Sequence, residues 1–388
     1  MKKQIAIILA LSVAITLAGC AKTPTNTPTP TETVAATHAS TATTAPTAPT
    51  GPAETMIAVD VGVTTQDTTA EDGTVLFQRT NQKMHLILNN AEVADKITKD
   101  FLNRLDIEQD ATTIEATAKA AYNGNANWMP YFYGLTYNPQ RIDQKVLSFY
   151  GDKVKFTGTA HPERSRKGAN YDLATGDVLT LASIMTAEAS TDDFCKLVLE
   201  ALAERAEGDF LREGYSEDVK RRFTSDPTQD ENWYFTTAGL CFYFDPYEIA
   251  PYTSGVITAE IPYEKLNGLV HTDYLPAARA TATGEVTISA FTSDLAENFN
   301  HTAELVMDPE GKMYLVHTEG TVQDIRITFT DDTGSYTVFA ANSLSDGEAI
   351  MVQAQDARNL ELSYLSNGRT VKEQIIKRVS DPLAPPEG

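Results

Sequence analysis

The sequence predicts an α+β protein: an antiparallel sheet with a few packed helices, followed by an all-β, sandwich-like C-terminal region. Three observations carry this. Val93, Ile97, Phe101 and Leu105 recur every four residues along one helical face. Between residues 131 and 160, β-prone runs are separated by Asn138-Pro139 and Gly151-Asp152, the punctuation of hairpins. Beyond residue 277, short β-prone runs follow one another with no helical segment between them.

Taken in order, Met-Lys-Lys, an apolar run over residues 5–17 and Leu17-Ala18-Gly19-Cys20 have the charge, length and small residues of a secretory signal with a lipobox. The run is shorter than the roughly 20 apolar residues of a membrane span. Residues 1–20 are therefore expected to be a lipoprotein signal peptide, with Cys20 as the lipid attachment. The mature protein would then be anchored at the extracytoplasmic face of a bacterial membrane, with the lipid as its membrane contact. Residues 21–55 are almost entirely Thr, Pro and Ala. A segment with so few apolar side chains cannot bury a core, and it reads as a disordered stalk.

Folded sequence is expected from Met56. Strands are predicted over 75–78 and 84–88, a helix over 93–105 and a weaker one over 112–122. Further strands are expected at 131–137, 142–150, 153–160 and 178–181, then a helix over 191–207 whose first turn carries Asp192 and Asp193, favourable to the helix dipole. Strands at 233–236, 240–244 and 256–261 complete an α+β domain over 56–276. Eight strands between 285 and 379 form the predicted sandwich, 277–380, and residues 381–388 a flexible tail.

Composition narrows function. The formal net charge is −22, from 31 Lys+Arg against 53 Asp+Glu, which disfavours nucleic acid as a partner and reads either as solubility of an exposed protein or as steering of a cationic partner. Six histidines are scattered, without His-Glu-x-x-His or Cys-x-x-Cys spacing, so no metal site and no cofactor are expected. Nucleophile elbows, phosphate loops and dinucleotide fingerprints are missing from the sequence, and no catalytic residue is assigned. Paired carboxylates of a glycan-acting enzyme need no motif, so that alternative stays open. Cys195 and Cys241 could pair in an oxidising compartment, but both sit in apolar surroundings as small hydrophobes do. The candidate ligand-binding residues are His161, beside Pro162, and Tyr247, Glu248 and Tyr252 in the corner Asp245-Pro246-Tyr247-Glu248-Ile249-Ala250-Pro251-Tyr252. His161 reads either as a binding imidazole or as a side chain bonded to a neighbouring loop.

Two of these segments, with a third, carry a resemblance. Gly158-Thr159-Ala160-His161-Pro162, then Asn170-Tyr171-Asp172-Leu173-Ala174-Thr175-Gly176, and the run Leu240 to Tyr252 resemble the extracytoplasmic domain shared by RsiV-type lysozyme-sensing anti-sigma factors and PdaC-type peptidoglycan deacetylases. The resemblance covers about residues 75–269, with Thr159 in place of that domain's second glycine. It implies an α+β binding or sensing module. A lipobox and a β-rich C-terminus stand where those relatives carry a transmembrane anti-sigma segment or a metal-binding catalytic domain. The expectation is therefore a non-catalytic surface lipoprotein whose partner is a cationic lysozyme-like protein or peptidoglycan; the third alternative is a structural envelope protein.

Overall fold

A long antiparallel hairpin opens the fold, β1 (Thr55–Thr69) with β2 (Val75–Leu88). The computed structural model describes residues 55–375, apart from 106, 126, 206–210, 226–231, 277–281, 309, 332–333 and 355–358. Cys20, the stalk before residue 55 and the tail from 381 lie outside the described residues. No helix among the described residues is long and apolar enough to cross a membrane.

After the hairpin come α1 (Ala91–Arg104) and α2 (Ile107–Ala121), then β3 (Tyr131–Ile142), β4 (Val146–Phe156) and β5 (Glu163–Asp172). Asn90 caps α1, its Oδ1 accepting from the backbone N–H groups of Glu92 and Val93 at 3.1 and 3.3 Å. The predicted stripe Val93, Ile97, Phe101, Leu105 is buried in a core that also takes Tyr133, Leu135, Leu147, Phe149 and Tyr171 from the sheet. Phe101 meets Phe149 edge to face at 4.4 Å between ring centres.

The next layer is α3 (Leu181–Ile184), α4 (Thr191–Arg205), α5 (Tyr215–Ser225), β6 (Trp233–Phe235), β7 (Gly239–Phe244) and β8 (Ile257–Pro262). Strand alternation divides β7: Leu240, Phe242 and Phe244 join the core under α4 and α5, while Cys241 and Tyr243 face the opposite side with Tyr234. Cys195 belongs to the first of these cores and Cys241 to the second, and both are free thiols. Burial raises the pKa of each, that of Cys241 to about 11.

The C-terminal strands are β9 (Glu285–Ala290), β10 (Asn300–Val306) after the short α6 (Ser293–Ala296), β11 (Lys312–Glu319), β12 (Val322–Asp331), β13 (Gly334–Leu344), β14 (Glu348–Ala354), β15 (Leu360–Ser366) and β16 (Arg369–Gln374). All eight expected strands are present. Four of them form a sheet ordered β10-β14-β11-β9. Val286, Ile288, Leu305, Val316 and Val352 of this sheet share a core with Ile325, Ile327, Phe339 and Leu362 of the other four, which is sandwich packing.

The expected boundary at 276/277 does not separate two sheets. Strands run β16-β15-β12-β13-β1-β2-β3-β4-β5 in one nine-stranded sheet, joined where Met56, Ile57 and Ala58 of β1 pair with Ala341, Ala340 and Phe339 of β13. Hydrophobic alternation shows which face of a strand is buried but not which strand lies beside it, and β1 unites the two regions for that reason. Pairing is antiparallel except between β2 and β3 and between β10 and β14.

Three local expectations also change. Gly151-Asp152 is not a turn: it lies inside β4, where a Cβ on Gly151 would come 3.1 Å from the ring of Phe101, so this glycine admits the helix. Asn138-Pro139 likewise sits inside β3, at a register shift between Pro139 and Arg141, where a bulge tolerates proline. The strand expected at 178–181 is only a bridge between Tyr171 and Val178, and Leu181 instead begins α3.

Candidate functional site

Residues 157–162 connect β4 to β5, and 245–256 connect β7 to β8. The two connections belong to different sheets and meet where β7 reaches β5, the Tyr243 hydroxyl bonding both Gly168 and Arg166. Gly158 has φ +81° and passes so close to Tyr131 that a Cβ there would lie 2.8 Å from its hydroxyl. Only glycine fits that approach, and the loop it starts delivers His161. Thr159 faces outward and its Oγ1 donates to the His161 carbonyl at 2.8 Å.

His161, Tyr247 and Tyr252 meet. The His161 Nε2 is 2.8 Å from Tyr247 Oη, and the imidazole stacks on Tyr252 with 3.9 Å between ring centres. Tyr252 Oη donates to the Pro162 carbonyl at 2.7 Å, which also lies 3.1 Å from His161 Nδ1. A carbonyl oxygen only accepts, so Nδ1 is the donor to Pro162, and the two contacts together fix the orientation of the ring. Of the two readings of His161, the structure shows the side chain bonded to a neighbouring loop, where it joins Tyr247 and Tyr252 in an aromatic ledge.

The ledge is open to solvent chiefly through Tyr247, 56% exposed and one of three large hydrophobic side chains in that state among the described residues. Its backbone is unusual: φ is +75°. Asp245-Pro246-Tyr247-Glu248 closes with Glu248 N–H donating to the Asp245 carbonyl at 3.1 Å, and proline at the second position with positive φ at the third are the marks of a type II turn. Glycine or asparagine usually fills that third position.

Glu248, from the same turn, is exposed but engaged. It accepts from the Asp245 N–H at 2.7 Å and from Arg222 Nη1 at 3.1 Å. Arg222 also donates to the Tyr243 carbonyl at 2.9 Å and lies over the Phe244 ring at 4.7 Å. Arg212 and Arg221, which the sequence did not single out, complete this side: both donate to Asp218, Arg212 at 2.5 Å. Burial alone would raise the Asp218 carboxyl, but its bonds to Arg221 and Arg212 outweigh this and hold its pKa below the usual value. These five charged side chains, with Tyr247, line a cleft of about 360 Å³.

Asp245 roots the corner in the sheet. Its Oδ1 accepts from the Arg166 N–H of β5 at 2.9 Å, and burial, reinforced by Glu248, pushes its pKa up to about 6 in spite of that bond. A larger cavity of about 710 Å³ lies between β2 and the α1–α2 corner, but it contains none of the candidate residues. No group of three or more potential metal ligands occurs among the described residues.

Residues 184–264 match a family described as "Protein of unknown function (DUF3298)". The matched span holds the corner with Tyr247, Glu248 and Tyr252 and the arginines of the cleft; His161 precedes it. Two solved structures of that family are similar: one from Pseudomonas aeruginosa PAO1 at 17% identity, covering 57% of this chain and 97% of its own, with a TM-score of 0.40. The other, from Bacteroides fragilis, is 19% identical, covers 56% of this chain and 94% of its own, and has a TM-score of 0.41. No curated protein matches the chain.

Proposed function

We propose that this protein is a non-catalytic, lipid-anchored binding module of the bacterial cell surface, whose contact surface is the ledge of His161, Tyr247 and Tyr252. Its partner in this reading is a cationic lysozyme-like wall-lytic enzyme or peptidoglycan, as the resemblance to RsiV- and PdaC-type ectodomains suggests. One observation carries the proposal: residues from two distant connections, chosen from sequence as ligand-binding candidates, converge at bonding distance and present an exposed tyrosine. Exposed tyrosine offers contact area and a hydroxyl at small entropic cost. A net charge of −22 would speed encounter with a cationic partner and make binding salt-sensitive. The carboxylates of the corner are engaged with backbone N–H groups and an arginine, which suits a structural role for them.

Calorimetry with an animal-type lysozyme at low and moderate salt tests this. Binding is expected to weaken as salt rises, and Tyr247→Ala to weaken it at least tenfold, about 1.4 kcal/mol. Absence of binding to both lysozyme and purified peptidoglycan would overturn the reading, and so would turnover of peptidoglycan.

A further inference from the structure

The cleft beside the ledge has a charge that runs against the rest of the chain. Arg212, Arg221 and Arg222 face Asp218 and Glu248, a local excess of one positive charge in a protein of net charge −22. Arg222 is committed to the fold through the Tyr243 carbonyl and Glu248. Arg212 is differently placed. Its backbone N–H is tied to the Ile249 carbonyl at 3.0 Å, which fixes its root against the corner, while its guanidinium uses only Nη2, on Asp218 Oδ2. Its Nε and Nη1 have no partner among the described residues.

From this we infer that the cleft is a carboxylate-recognition site, taking a ligand with one free carboxylate carried by a group that lies on Tyr247. The geometry specifies the anion. Guanidinium donors meet a planar, two-oxygen acceptor best, and Asp218 already shows such an acceptor shared between Arg212 and Arg221, one oxygen to each. A single excess positive charge balances one carboxylate and not a phosphate dianion. The acidic remainder of the chain repels polyanions from the same place. Tyr247 lines both the cleft and the ledge, so the group bearing the carboxylate reaches an aromatic face as the anion reaches the arginines. This deepens the binding reading by naming a ligand chemistry, and rests on it in sharing Tyr247.

In wall material that chemistry has two sources, the lactyl ether of a muramic sugar and the free C-terminus of a stem peptide. The test titrates the full chain with N-acetylmuramic acid and with diacetyl-Lys-D-Ala-D-Ala, each against its uncharged counterpart, the methyl ester and the C-terminal amide, by ligand-observed NMR. At least one acid is expected to bind ten times more tightly than its counterpart, and which one does so identifies the source. Arg212→Gln with Arg221→Gln should abolish the preference. Asp218→Asn, which keeps both arginines and removes the competing anion, should strengthen acid binding several-fold. Equal binding of acid and uncharged forms, or no saturation by either acid at about 10 mM, a threshold of about −2.7 kcal/mol, would overturn the inference. Loss of lysozyme binding in Tyr247→Ala bears on the contact surface and not on the acid-over-ester preference, so the two readings fall separately.

Discussion

Tyr247 holds a backbone conformation that its side chain does not favour, because an L-residue at positive φ sets Cβ against the carbonyl oxygen at a cost of roughly 1–2 kcal/mol. Strain of this kind persists where the surroundings over-determine it, here through Pro246, the Glu248 N–H bond and the His161 contact. Two substitutions separate the ring from the backbone. Tyr247→Ala and Tyr247→Gly both remove the ring, but only glycine relieves the turn, so the glycine variant should be the more stable by about 1 kcal/mol in urea unfolding. Equal midpoints for the two would show that the turn is unstrained. Tyr247, Glu248 and Tyr252 were legible in the sequence because flanking prolines mark an irregular corner. Arg212, Asp218 and Arg221 were not. Arg212 precedes α5, Asp218 and Arg221 stand three residues apart on it like charges of any solvated helix face, and their meeting with the corner depends on how α5 packs against β7.

Between elements, the notable contact is at the free edge of β5. A sheet edge exposes unpaired N–H and C=O groups that invite pairing with another chain. Here one hydroxyl seals two of them: Tyr243 Oη accepts from the Gly168 N–H at 2.9 Å and donates to the Arg166 carbonyl at 2.9 Å, and Asp245 takes the Arg166 N–H. Tyr243→Phe would leave the buried Gly168 N–H without its acceptor, at a cost of about 1–3 kcal/mol. Faster hydrogen exchange at Gly168 should accompany the loss, and unchanged stability would assign the sealing to Asp245 alone. Helices α1 and α4 and the eight C-terminal strands were legible, since periodicity survives any packing partner. Strand β5 was missed because Glu163-Arg164-Ser165-Arg166-Lys167 is charged, and Arg166 is accommodated by pairing with Asp152 at 2.7 Å and lying 3.7 Å over the Tyr150 ring. A sequence window cannot see a partner fourteen residues away.

At the scale of the whole molecule, the question is whether the ledge-bearing layer can stand without the C-terminal strands. Strand β1 says that it cannot: its Met56–Ala58 stretch is paired on one side to β2 and on the other to β13, so removal of residues 277–388 would bare an edge in the middle of the sheet. More would be exposed with it. Ala340 belongs to the same core as Phe101 and Phe149, Ile87 packs into the sandwich core, and Arg326 Nη2 donates to the Gln140 carbonyl at 2.6 Å. The fragment 56–276 is therefore expected to unfold at lower urea than the full chain and to associate through the bared edge, as light scattering would detect. The full chain should unfold with coincident transitions by tryptophan fluorescence, which reports Trp233 and Trp128, and by far-ultraviolet circular dichroism, which weights all the strands. A fragment with the midpoint of the full chain would mean that β13 adds nothing to β1, and the ledge would then belong to a unit that folds alone.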